Sequence, residues 1–104
     1  MALDPFIHGG GEAYGVVIDD TGQSVAQPAK QNVVYRIVIA DKDNTGVVFL
    51  HLPPDPDDPA TFGKGIPLWP GDFHEITYEN MYEGVIKAIA PPGTTQTLFG
   101  HDGI

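Results

Sequence analysis

Four histidines, His8, His51, His74 and His101, are the side chains best suited to bind a metal or move a proton in this 104-residue chain. The segment Gly71-Asp72-Phe73-His74-Glu75-Ile76 sets a histidine and an acid on one short stretch after a glycine. A zinc or iron site needs three or more converging ligands, and no His-x-His pair occurs anywhere. His51 and His74 fall on separate expected strands, and two imidazoles alone make a poor metal site. Asp41-Lys42-Asp43-Asn44-Thr45-Gly46 follows the opening of a calcium-binding loop, which wants oxygen ligands at alternate positions, Gly at the sixth and Glu at the twelfth. Leu52 stands where that Glu belongs and the flanks read as strands, so a turn accounts for these residues. Asp55, Asp57 and Asp58 could ligate a divalent ion, but Pro56 restricts how the backbone wraps, and a solvated acidic loop is the plainer reading. Ser24 is the sole serine and lacks the Gly-x-Ser-x-Gly context of a nucleophile elbow. Gly9-Gly10-Gly11 and Gly63-Lys64-Gly65 do not match a phosphate loop. No pair of carboxylates stands out for acid–base work. The chain is therefore expected not to be an enzyme and to need no cofactor or metal.

The elements that would position these residues read as short strands. Tyr14 to Ile18, Val33 to Ala40, Val47 to Leu52, Ile66 to Trp69, Phe73 to Glu79, Val85 to Ala90 and Thr94 to Phe99 are rich in β-branched and aromatic residues. Clusters of Gly, Pro, Asp and Asn separate them. Val33, Tyr35, Ile37 and Ile39 share one face, while Val34, Val38 and Ala40 share the other with Arg36. Apolar residues on both faces suggest a central strand covered on both sides. With the return strand from Val47 it forms the expected hairpin, turning at Asp41–Gly46. Residues 23–32 read as a loop. Residues 53–64, with four prolines and three aspartates, read as a stiff exposed loop. No segment sustains a 3.6-residue period. The expectation is an all-β fold, a small antiparallel sandwich or barrel of six to seven strands. Residues 1–13 would be a flexible N-terminal arm, because three consecutive glycines hold no regular structure cheaply, and residues 14–104 one domain.

Composition narrows the partners. Fourteen acidic residues against five Lys and Arg give a net charge of −9. Nucleic acid is an unfavourable partner for such a surface, and so is an anionic membrane. The absence of cysteine excludes disulfides and thiol chemistry. No signal peptide and no run of about 18 apolar residues is visible, so the expected place of synthesis is the cytosol.

The stretch Gly65-Ile66-Pro67-Leu68-Trp69-Pro70-Gly71-Asp72-Phe73-His74-Glu75-Ile76 runs a short apolar segment into Pro-Gly-acid and an alternating strand. Asn80-Met81-Tyr82 turns the chain into Gly84-Val85-Ile86-Lys87-Ala88-Ile89-Ala90, and a Pro-Gly break with one closing strand follows. Over about residues 33–100 this layout resembles the small β-sandwich accessory proteins that decorate or cement the capsids of tailed bacteriophages. Asp72 where Glu is commoner, and the long proline loop, depart from their pattern. The resemblance implies a virion structural protein on the capsid surface, made in the host cytoplasm. It also implies a major capsid protein as partner and self-association as a homo-oligomer, a trimer. Phe6 and Ile7 of the arm, Asp55 and Asp57 of the acidic loop, and Trp69 are the expected contacts with partners. Val34, Val38 and Trp69 offer surplus apolar surface for self-association. Two other readings use the same sandwich. One is a carbohydrate- or ligand-binding module with Trp69, Tyr78 and Tyr82 as its platform; the other is a cupin-like metalloenzyme centred on His51 and His74.

Overall fold

Strands and turns, with no helix, make up the described part of the computed structural model, residues 11–29, 33–77 and 82–103. In chain order the strands are β1 (Gly11–Ile18), β2 (Gln23–Ala26), β3 (Tyr35–Ala40), β4 (Val48–His51), β5 (Ile66–Leu68), β6 (Phe73–Ile76), β7 (Ile86–Ile89) and β8 (Gln96–Gly103). Sheet A has the order β1-β8-β3-β6 and sheet B the order β2-β7-β4-β5, and every pairing is antiparallel. The pairs 1–8, 2–7, 3–6 and 4–5 are those of one long hairpin folded over on itself, with alternate pairs in opposite sheets. That is the jelly-roll arrangement, an eight-stranded double-sheet sandwich.

The core lies between the sheets. Ile18, Val38 and Leu98 from sheet A meet Val48, Leu50 and Ile86 from sheet B, and all six are essentially shut off from solvent. Each such side chain contributes about 1.5–3 kcal/mol relative to exposure. β-branched residues supply much of this layer, as a pleated half-buried surface favours. Turn chemistry closes the strands. Asp19 caps the β1–β2 connection: its carboxylate accepts from the Thr21 amide (2.8 Å), the Thr21 hydroxyl (2.6 Å) and the Gln23 side-chain amide (2.6 Å). These bonds, that of Gln23 foremost, hold its pKa down at about 2, against an ordinary 3.8. Gly71, at φ 86°, supplies the left-handed residue of the Trp69–Asp72 turn.

Several expectations need correction. β3 and β4 do not form a hairpin: they lie in different sheets. The segment between them crosses the sandwich and is tied to β8 instead. The Asn44 side chain bonds Thr97 with both its atoms, accepting from the amide (2.7 Å) and donating to the carbonyl (2.9 Å), and the Thr45 amide donates to Gln96 Oε1 (2.8 Å). Local turn composition cannot distinguish a hairpin turn from a crossing of this length. β2 lies in the segment read as a loop, because its inward pair Val25 and Ala26 is too short to show a period. It brings the strands to eight. β3 is covered on one side only, with Arg36, Val38 and Ala40 inward and Tyr35, Ile37 and Ile39 outward. Val38, expected as surplus surface, is buried. β8 runs on to Gly103, through residues read as a polar tail. β1 starts at Gly11, so residues 11–13 pair with β8, and residues 1–10 lie outside the described residues.

Candidate interaction surface

The outer face of sheet A is a nearly uncharged apolar surface. Strand alternation aims Ala13, Gly15 and Val17 of β1 outward, with Thr97, Phe99 and His101 of β8 beside them. Tyr35, Ile37 and Ile39 of β3 and Phe73 and Glu75 of β6 complete the face. Across its middle the register sets Gly15, Phe99, Ile39 and Phe73 in one row. Phe73 is 59% exposed, Val17 63% and Phe99 46%. Only Glu75 carries a formal charge among these strand positions, in a chain of net charge −9.

Glycines shape this surface. A Cβ added at Gly103 would sit 2.0 Å from Tyr35 Cε1, and one at Gly15 would sit 3.3 Å from Phe99 Cδ1. The Tyr35 and Phe99 rings therefore lie down over bare backbone on the neighbouring strands, an aromatic cover of strand glycines. The Tyr35 ring also stands 6.1 Å from the His101 ring. The result is a low, flat relief in place of upright side chains.

Sheet B is finished differently. Phe49, Ile89 and Pro67 form the corresponding outward row. The proline-rich connection between β4 and β5 folds back over it: the Phe62 ring meets Phe49 edge-on at 5.0 Å, and Lys87 Nζ donates to the Asp58 carbonyl at 2.7 Å. Ile89 is only 8% exposed, although it faces away from the core. Gly65, at φ 107°, lets this connection enter β5 against the Leu50 carbonyl, where any Cβ would collide with backbone.

Between the sheets one polar cluster closes an end of the sandwich. Arg36 is fully buried. Its Nε donates to Asp102 Oδ1 (3.0 Å), its Nη1 to the carbonyls of Gly84 (2.6 Å) and Tyr82 (3.3 Å), and its Nη2 to that of Gln27 (2.5 Å). Tyr14 reaches over Gly100 to donate its hydroxyl to the same Asp102 oxygen (3.1 Å). The Tyr82 hydroxyl lies 2.7 Å from the carbonyl oxygens of both Pro53 and Val85. Burial pushes the Tyr82 phenol up, partly opposed by the Arg36 charge. Every charged group here is matched by a partner, which suits a clamp between β3, β8 and two loops. A depression of about 380 Å³ beside it is lined by Pro28, Pro53, Pro54, Pro56, Tyr82 and Glu83, among others. Glu83 is its single carboxylate.

The structure scatters the residues singled out from sequence. His51 lies on β4 in sheet B, facing out, and His74 on β6 in sheet A, facing in. Among the described residues no three His, Asp or Glu side chains converge as metal ligands. Asp41 Oδ1 accepts from the Asp43 amide (3.0 Å) and Asp55 Oδ1 from the Asp57 amide (2.9 Å), so both acidic segments use carboxylates to shape their own turns. Asp55 and Asp57 are exposed on the loop that covers sheet B. Trp69 is 58% exposed at the β5–β6 turn, where the Gly71 amide bonds the Ala40 carbonyl. Phe6, Ile7 and Tyr78 lie outside the described residues, and Tyr82 is committed to packing. Sequence reasoning missed Phe73, Phe99, Ile39 and Val17 as one surface. The signal was present in the two-sided apolar pattern of β3, which fits an open docking face as well as double burial. Compared with known proteins, the chain matches no family model, no curated protein and no solved structure.

Proposed function

We propose that this chain is a virion structural protein that decorates or cements a phage capsid through subunit–subunit contacts, with a major capsid protein as its partner. The observation that supports this reading most is the outer face of sheet A, an apolar, nearly charge-free sheet surface on an otherwise acidic body. Contiguous apolar surface of this kind on a small domain marks a protein–protein contact. Jelly rolls also serve as capsid domains, although the fold by itself does not choose a function. The flanking turns are held by side-chain bonds of Asp19, Asn44 and Gln96, so the face sits on a rigid frame. Purified particles produced by the genome that encodes the chain provide the test. Mass spectrometry should find the chain in them at a fixed ratio to the shell protein, surviving gradient purification. Its absence from intact particles would reject the reading.

A carbohydrate-binding role draws on one observation, the exposed Trp69 indole at a turn, because sugar sites often use such a ring. Glycan screening with wild type and Trp69→Ala tests it, and binding that Trp69→Ala abolishes would favour that role.

A further inference from the structure

We propose that the outer face of sheet A is a self-association surface, on which a second copy of this chain stacks sheet to sheet. Three observations point to a copy of the chain itself. The first is electrostatic. Each copy carries a net charge of −9, so two copies repel except where acids are absent. The outward strand positions of sheet A bear one carboxylate, Glu75, and it sits on the edge strand β6. Two copies can therefore meet there with the Asp55–Asp58 loop, which lies over sheet B, on the far side of each.

The second observation is relief. Phe99 and Tyr35 lie over Gly15 and Gly103, so the middle and one end of the face are low and even. Flat sheet faces stack with their side chains interleaved at about 10 Å, as the two sheets within the sandwich do. Phe73 and Val17, at opposite edges, stand most exposed. Under a two-fold axis the same patch serves both copies and the assembly closes.

The third is area. Strands about 4.8 Å apart, with about 3.3 Å per residue, give the face a footprint on the order of 15 by 25 Å. Allowing for side-chain relief, a stacked pair hides on the order of 1,000 Å² in total, the lower limit for a specific interface. A reversible dimer is the expected outcome. The outer face of sheet B offers no such surface, because the chain's own loop already occupies it. Face-to-face stacking closes at two copies, whereas the resemblance to decoration proteins implied three.

This inference rests on the assembly role proposed above only in reading the sheet A face as a protein–protein contact; it gives that face to a second copy rather than to the shell protein, and its test needs only the full-length chain. Sedimentation equilibrium should show a monomer–dimer equilibrium. Raising salt should tighten it, since salt screens the repulsion between acidic copies. Phe73→Asp and, separately, Val17→Asp replace exposed side chains at the two edges of the face, and each should weaken the dimer by about tenfold or more, because each sets an unpaired carboxylate against the apolar surface of an acidic facing copy. Asp57→Lys, on the loop over sheet B, should leave the stacked pair intact. Circular dichroism reports whether each variant keeps its β-fold, and Phe99→Ser replaces any that does not. A monomer at millimolar concentration, a trimer, or a dimer indifferent to all the sheet A substitutions overturns the inference. A monomer that still enters virions would reject self-stacking while leaving the capsid role in place. A dimer missing from virions would do the reverse.

Discussion

Phe49 and Ile89 on sheet B, and Phe99, Ile39 and Phe73 on sheet A, occupy matching positions: each set forms an outward row of apolar side chains across a four-stranded sheet. On sheet B the connection from His51 to Ile66 returns over the row, with Phe62 on Phe49 and Asp58 holding Lys87. On sheet A the row stays open, and Phe73 remains 59% exposed. Both rows have the same strand chemistry, so the strands did not decide the difference. A long connection did. The comparison teaches that an apolar strand face becomes core or docking surface according to what the rest of the chain can reach. It also implies a division of labour, in which outward residues of sheet B belong to the fold and those of sheet A belong to partners.

The largest expected effect tests what both sheets share. Asp102→Ala would leave the Arg36 guanidinium buried without its carboxylate, and breaking a buried pair this way costs about 3–5 kcal/mol. Urea denaturation should show that loss. A loss below about 1 kcal/mol would mean that the bonds from Arg36 to the Gln27, Tyr82 and Gly84 carbonyls hold the cluster together without the carboxylate.

Smaller effects divide the faces directly. Gly100→Ala puts a methyl group 2.0 Å from Tyr14 Cε1, and displacing that ring should cost about 1–3 kcal/mol, the usual range for overpacking. Phe62→Ala uncovers Phe49 and should cost about 1 kcal/mol, the value of an aromatic pair and some area. Phe73→Ser should change monomer stability by no more than about 0.5 kcal/mol, as substitutions at open surface positions do. Thermal melts of the two phenylalanine variants at low protein concentration compare them. Equal losses would break the division between the faces.

The smallest effect concerns acid. Asp19 titrates at about 2 in the folded chain against an ordinary 3.8. Its stabilising bonds are complete above the ordinary value and are lost as pH falls from about 4 through about 2. Asp19→Asn should therefore lower stability above about pH 4, change little below about pH 2, and so flatten part of the acid limb of stability against pH. An acid limb identical to wild type would show that the β1–β2 cap contributes nothing.

Much of this was legible in the sequence, and for physical reasons. Strand alternation is local, so Tyr35, Ile37 and Ile39 could be assigned to one face and Arg36, Val38 and Ala40 to the other before any fold was known. Turn composition at Pro70-Gly71-Asp72 and Pro91-Pro92-Gly93 marked where strands end, and the absence of helical period fixed the all-β class. The charge imbalance, too, is a property of composition alone. Pairing is not local. Whether Asp41–Gly46 turns back within a sheet or crosses to the other depends on Thr97 and Gln96, more than fifty residues away. Asp102 looked like a residue of a polar tail until Arg36 and Tyr14 were found on its carboxylate. The same holds for the two outer faces. Apolar side chains on both sides of a strand state that each side avoids water, and only the tertiary structure decides what covers it, because that depends on where a distant loop can reach.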